Sequence, residues 1–223
     1  MKKYSFTLAF LSIFSMMFLF SGCNGKSETP AEIDRDLKSD TSKDNIGEFE
    51  EFEVTEDWSA NPFDWFKGKG LLLAVGNREN NNAMTIGWGS LGNVWSNIGP
   101  ATVTVYVAEG RYTYEFMEKY DYFTVMAFED KYAPVLGYMG THSGRDGDKA
   151  AHLGLHTLYT DNGTPYYEEA SLVLECKTIY KAPFLKEGMC EEVKKFYENF
   201  DAGVHHMYIG NVIKALKRKD NTN

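Results

Sequence analysis

Seven runs of β-branched, aromatic and aliphatic residues between Leu71 and Leu216, each closed by a turn signal, set the narrowest limit on what this chain can fold into. They span 71–75, 84–88, 101–107, 122–128, 156–159, 170–180 and 206–216. Gly76-Asn77, Asn80-Asn81-Asn82, Ile98-Gly99-Pro100 and Asp161-Asn162-Gly163 punctuate them. Helical patterns are few: 113–119, 133–139, 146–153 and 191–200. Thr113 is placed to cap the first of these, with Glu115 in its opening turn. So many strands with so few helices between them exclude a doubly wound parallel sheet, and no Rossmann glycine fingerprint is present. The pattern predicts a mainly β fold, an antiparallel barrel with a few short helices over its ends.

The first residues carry a different signal. Lys2 and Lys3 precede an apolar run from Phe6 to Phe20 that ends at Ser21-Gly22-Cys23. Basic residues, a short apolar run and small residues before a cysteine are the marks of a lipoprotein leader. The run is short for a full membrane span. The expected organisation is a leader over 1–22, a lipidated Cys23 opening a polar tether over 23–50, a domain over 51–218 and a polar tail over 219–223. The expected location is outside the cytoplasmic membrane, held to a bacterial membrane by the lipid anchor alone. The formal charge of −9 excludes a basic footprint for nucleic acid, and loss of the leader's two lysines makes the chain more acidic still.

Of the three cysteines, Cys23 belongs to the anchor. Cys176 and Cys190 have no CxxC spacing, so no metal site is expected of them. They read as a buried strand thiol and a partly covered helix thiol, although export would permit a disulfide. His205 and His206 are adjacent and in a strand face opposite sides, so they do not converge on one metal. Serine-hydrolase, metalloprotease and P-loop patterns are absent.

Three segments bear chemistry. In the first, a turn of asparagines ending at Asn82 leads into a strand carrying Met84, Thr85, Gly87 and Trp88. Alternation puts Thr85 and Gly87 on one face and Met84, Ile86 and Trp88 on the other. Gly87 and Gly89 strip side chains from the strand, as close approach by a flat ring requires. In the second, Arg111 and Thr113 flank Tyr112 at a helix start, bringing a planar fork of donors and a hydroxyl to an anion-favouring position. In the third, Thr141, Ser143, Gly144 and Arg145 precede Asp146, expected to open a helix, with Lys149 one turn further on. Successive N–H groups at such a glycine-bearing turn form an anion nest. Each segment alone also fits an ordinary element: a barrel strand bending at glycines, an exposed arginine beside a cap, a plain helix N-terminus.

Taken in order along the chain, Asn82-Ala-Met-Thr-Ile-Gly-Trp88, Arg111-Tyr-Thr-Tyr-Glu-Phe-Met-Glu-Lys119 with Asp121-Tyr-Phe-Thr124, Ser143-Gly-Arg-Asp146 with Lys149, and His205-His-Met-Tyr-Ile-Gly210 resemble the flavin reductase-like FMN-binding family, its flavoredoxin-like branch in particular. The resemblance runs from about Trp58 to Leu216. It implies an antiparallel Greek-key split β-barrel, a homodimer and bound FMN, often reduced by NADH or NADPH. The residues it assigns to the cofactor are Asn82, Met84, Thr85, Gly87, Trp88, Arg111, Tyr112, Thr113, Thr141, Ser143, Gly144, Arg145 and Lys149. His142 departs from the family, which commonly has lysine there. Export is a second departure, because nicotinamide cofactors and FMN are scarce outside the cytoplasm. An oxidoreductase drawing on NAD(P)H or another donor is therefore expected. The alternatives are an exported FMN electron relay that does not use NAD(P)H, and a flavin-free barrel for another ligand such as haem or for surface interactions.

Overall fold

Leu71-Leu-Leu-Ala-Val75 is apolar at every position, which suits a strand covered on both faces. The structure, a computed structural model, describes residues 48–219. In it β2 (Leu71–Gly76) sends Leu71, Leu73 and Val75 into one core and Leu72 and Ala74 into another. β6 (Tyr122–Ala127) divides in the same way, with Phe123 and Val125 on the first side and Met126 on the second. The first core is the barrel interior, shared with Val103, Val105 and Val107 of β5 (Thr102–Ala108). The second lies outside the barrel, where Val135, Leu136 and Met139 of helix α2 (Ala133–Thr141) pack against the sheet.

The remaining strands are β1 (Phe49–Glu51), β3 (Asn81–Ile86), β4 (Gly89–Gly92), β7 (Thr157–Tyr159), β8 (Pro165–Tyr167), β9 (Leu172–Pro183) and β10 (His205–Arg218); further helices are α1 (Tyr112–Lys119), α3 (Lys149–Leu153) and α4 (Glu191–Glu198), with short helical turns at Pro62–Asp64, Trp65–Lys69, Asp130–Tyr132 and Lys186–Gly188. The main sheet is antiparallel in the order β3-β2-β6-β9-β10-β5-β4, with β1 added on β10, and β7 pairs β8 separately. This is the split barrel expected from the sequence. Its two edge strands, β3 and β4, are joined directly by Gly87 and Trp88, so the sheet curls until its edges meet at that dipeptide.

Several local expectations are corrected. The run 84–88 is not one strand: β3 ends at Ile86, and Gly87-Trp88 carries the chain from one sheet edge to β4 at the other. Alternation holds before the break: Ala83 faces the outer core, Met84 and Ile86 the inner one. Thr113 is not the cap of α1; Arg111 holds that position, and Thr113 is buried inside the first turn. Asp146 does not open α3. Asp148 does, its Oδ1 accepting from the Ala151 N–H at 3.0 Å. Residues 49 and 50, expected to close the tether, pair with Arg218 and Lys217 as strand β1. The expected leader, the expected anchor Cys23, the expected tether up to residue 47 and residues 220–223 lie outside the described residues. Cys176 is buried in β9 and Cys190 exposed ahead of α4, and both are free.

Gly210 marks a tight point of the barrel interior. A Cβ there would lie 2.5 Å from the Phe123 ring and 2.7 Å from the Cys176 Cβ, beside a register shift between β9 and β10. Gly210→Ala is therefore expected to destabilise the domain by about 2 kcal/mol through overpacking. The midpoint of denaturant unfolding should fall with an unchanged slope; an unmoved midpoint would show that Phe123 yields freely.

Candidate functional site

Asn82 ties the three chemistry-bearing segments together. It is 7% exposed, and its Nδ2 donates to Thr113 Oγ1 at 2.8 Å. A Cβ on Gly144 would lie 2.0 Å from its Oδ1, so only glycine admits this close packing. The 143–146 turn thus seats on β3, and β3 on the first turn of α1. The Ser143 Oγ accepts from the Arg145 N–H at 3.2 Å and the Ser143 carbonyl from the Asp146 N–H at 3.1 Å, which folds the turn back on itself. Arg145 then reaches across to α1: its guanidinium lies 4.9 Å from the centre of the Tyr112 ring and donates to Glu115 and to the Gly110 carbonyl.

These contacts enclose two adjoining cavities. The first, about 230 Å³, is walled by Asn82, Met84, Arg111, Tyr112, Thr113, Thr141, Ser143, Gly144, Arg145 and Lys149, with Gly110, Met139, Gly140 and His142. The second, also about 230 Å³, is walled by Met84, Thr85, Gly87, Trp88 and Arg111, with Ile86, Tyr106, Ala108, Gly140, Phe200 and His205. Met84, Arg111 and Gly140 belong to both, so the two form one cleft. Every residue nominated from the sequence lines it. One end is rich in cations, hydroxyls and amides; the other is aromatic.

Hydrogen bonding decides which of these groups remain for a ligand. Thr113 Oγ1 is taken by Asn82, and Thr141 Oγ1 donates back to Gly137 O at 2.9 Å within its own helix. Thr85 Oγ1 donates to Leu136 O at 2.5 Å, pinning α2 to β3 rather than offering its proton to the cleft. Lys149 is 7% exposed. Its Nζ donates to Met139 O at 2.8 Å and His142 O at 3.0 Å, closing the C-terminal end of α2. Burial lowers its pKa to about 8, so the ammonium is still charged at neutral pH. His142 lies flat against Tyr138, ring centres 3.7 Å apart, with Nδ1 3.2 Å from Tyr138 O.

His205 is the main residue that the sequence reading left out of the site. It stacks against Trp88 at 4.6 Å and Phe200 at 5.2 Å, with Nδ1 2.9 Å from the Tyr197 hydroxyl. Burial first, and then the Arg111 charge, lower its pKa to about 4, so the ring is neutral at physiological pH. Its place depends on the pairing of β10 with β5, which sets His205 opposite Ala108 at the approach to Arg111. Tyr106 enters from the same pairing. Strand alternation could have flagged His205 as the inward member of the histidine pair, but not which cavity it reaches. His206 turns the other way, onto Glu109 and Tyr114. Among the described residues no three histidine, cysteine or carboxylate side chains gather as a metal site.

The overall architecture is shared with solved flavoproteins. The fold aligns with flavoredoxin from Methanosarcina acetivorans at a TM-score of 0.54 and 22% identity, covering 70% of each chain. It aligns with an FMN-binding domain of a flavin reductases-like enzyme from Shewanella baltica at 0.56 and 17%, covering 78% of this chain and 80% of that one. Flavoredoxin of Desulfovibrio vulgaris (Miyazaki F) aligns at 0.51 and 22%, over 68% and 69%. A search of curated proteins found no match. Residues 67–223 match the family model described as flavin reductase like domain, which is most of the chain and all of the cleft, and the protein belongs to that family.

Proposed function

We propose that this protein is an FMN-binding oxidoreductase of the flavin reductase or flavoredoxin type, passing electrons from NADH, NADPH or another donor through its bound flavin. The observation that carries this reading is the convergence of three separate segments on one cleft with a cationic end and an aromatic end. FMN has the matching division, a dianionic monoester at one end and a flat tricyclic ring at the other. Gly140 and Gly144 both stand where a Cβ would press on Thr85 or Asn82, which keeps the cleft wall bare.

In this reading Arg111, Arg145, Ser143 and Lys149 hold the phosphate. Arg145 exchanges part of its pairing with Glu115 for the ligand's oxygens, and the Lys149 ammonium gains the counter-charge that its burial lacks. Met84, Gly87, Trp88 and Tyr106 form the ring site. His205, neutral and clamped between Trp88 and Phe200, places a polar ring edge there without adding charge. The flavin supplies hydride and electron chemistry, and the protein's share is orientation, exclusion of water and electrostatic bias. Trp88, 46% exposed beside Phe196, gives the ring end an apolar rim suited to cover by a second copy in a homodimer. The reading includes export and a lipid anchor at Cys23.

The decisive experiment is an absorbance spectrum of the purified domain with and without added FMN, before and after anaerobic NADH or NADPH. A bound flavin that bleaches is the expected result; one that persists assigns the protein to electron relay between other partners. Failure to bind flavin would overturn the proposal in favour of another ligand. Arg145→Ala should weaken FMN binding by about 1.5 kcal/mol, roughly tenfold in Kd, since half-exposed charge-assisted bonds are lost. An unchanged Kd removes Arg145 from the phosphate site. Cys23→Ala should leave the domain folded and move it from the membrane to the soluble fraction, whereas retention at the membrane would point to an uncleaved helix.

A further inference from the structure

Helix α4 buries no side chain of its own and meets the ring end of the cleft through two aromatics. The Phe196 ring centre lies 5.8 Å from that of Trp88, and the Tyr197 hydroxyl lies 2.9 Å from His205 Nδ1. The His205 backbone is fixed on both sides, opposite Ala108 on β5 and with its carbonyl accepting from the Phe184 N–H at 3.0 Å. Its ring is held between Trp88 and Phe200. These contacts set the place of the imidazole and leave one property open, the nitrogen that carries its proton. A neutral imidazole has one N–H and one lone pair, so the partner of one nitrogen determines what the other can offer.

The surroundings of Tyr197 decide between the two tautomers. Burial raises the pKa of its phenol, which therefore keeps its proton. The His205 backbone N–H is directed at the same phenol oxygen, so that oxygen already serves as an acceptor. Its own proton needs an acceptor in turn, and among the described residues Nδ1 is the one within hydrogen-bond distance. A hydroxyl that donates to Nδ1 leaves the imidazole proton on Nε2. Among the described residues the polar side-chain atoms sealed from solvent without a partner are Thr178 Oγ1, Asn211 Oδ1 and Arg218 Nε. His205 Nε2 also makes no hydrogen bond among the described residues but is not one of these, so it is open at the wall of the aromatic cavity that His205 lines.

We infer that Tyr197 is a positioning residue for the ring site: by donating to Nδ1 it fixes His205 as the Nε2–H tautomer, so that the aromatic end presents a neutral hydrogen-bond donor to the acceptor atoms of a bound flavin. This role rests on the placement of FMN in the cleft. A donor bonds more strongly to an acceptor that has gained negative charge than to a neutral one, and the flavin ring gains such charge when it takes up electrons. Tyr197 therefore favours the reduced flavin over the oxidised one without touching the ring itself.

The test compares wild type with Tyr197→Phe, which keeps the aromatic contacts of α4 and removes only the hydroxyl. Before flavin is added, the tautomer is read from long-range nitrogen NMR spectra of protein labelled in its histidine rings, with His205→Gln identifying the signals. The expected wild-type pattern has Nε2 protonated and Nδ1 bare, and in Tyr197→Phe the two nitrogens move toward the averaged shifts of exchanging tautomers. Titration with oxidised and with reduced FMN gives the second readout: Tyr197→Phe should weaken reduced FMN about fivefold and oxidised FMN less than about twofold. A wild type protonated on Nδ1, or a Tyr197→Phe spectrum identical to wild type, overturns the assignment. An equal loss for both redox states also overturns the positioning role, because a hydroxyl that only supports packing gives that result. If the tautomer behaves as expected and FMN binds in neither state, the FMN reading fails and the flavin half of this inference with it, while the tautomer assignment stands.

Discussion

The molecule depends on how its sheet closes. β3 and β4 are consecutive in sequence but sit at opposite edges of the main sheet, so the only covalent link across the seam is Gly87-Trp88. A sheet closed by two residues has no freedom to open there, and both must be accommodated where the edges converge. Gly89 shows how close that convergence is: a Cβ would fall 2.3 Å from the Phe66 ring and 2.7 Å from the Thr104 carbonyl. Phe66 comes from the π-helical turn Trp65–Lys69 that precedes β2, so the segment entering the barrel also plugs its seam. Glycine at 89 serves closure, whereas a Cβ on Gly87 would meet only the Phe66 carbonyl at an ordinary 3.4 Å. Gly87 is the member of the pair that lines the aromatic cavity, so its bare face is available to a flat ligand.

The second constraint is the double burial of β2 and β6. Because their outer faces carry apolar side chains, α2 must cover them, and the Thr85 bond to the Leu136 carbonyl fixes where it lies. The end of α2 then sets the position of the loop that follows. Lys149 reaches back to the carbonyls of Met139 and His142, and the Gly144 turn drops onto Asn82. Thus the polar half of the cleft is built from backbone and buried side chains that hydrogen-bond one another, with Arg111 and Arg145 as exposed cations. Preorganisation of this kind reduces the ordering cost of binding.

Much of this was legible from residue types. The β-branched and aromatic runs and their turn signals gave the strands, since both act over a few residues. The second and third segments could be grouped because arginine beside hydroxyl residues at a helix start or glycine turn suits an anion, and the first because its glycines leave room for a flat ring. What was hidden depends on partners distant in sequence. The break at Gly87-Trp88 cannot be seen locally, because nothing in Met84 to Trp88 says that two sheet edges must meet there. Thr113 has the composition of a cap but is drawn inward by Asn82, thirty-one residues away. Asp146 and Asp148 are equally good caps by type, and the tight turn at Gly144-Arg145 decides between them. His205 reaches the cleft only through the register of β10 on β5.

The two shifted titrations give the cleft an electrical polarity. At the aromatic end His205 is held neutral by burial and by Arg111, down to about pH 4. Because its folded pKa lies below its ordinary value, the neutral ring contributes stability that is present above pH 6.5 and is lost as pH falls through about 4. At the polar end Lys149 remains protonated up to about pH 8 although burial opposes its charge. Below that pH the folded protein carries a buried ammonium that donates to two neutral carbonyls, a cost that a bound anion relieves. From about pH 4 to 8, then, His205 adds no charge at the aromatic end while Lys149 keeps an under-compensated cation at the other, and Arg111 lies where the two cavities meet. A ligand carrying its anionic group at one end and a flat ring at the other is thereby favoured in one orientation, because the buried Lys149 charge is screened less than charges on the surface.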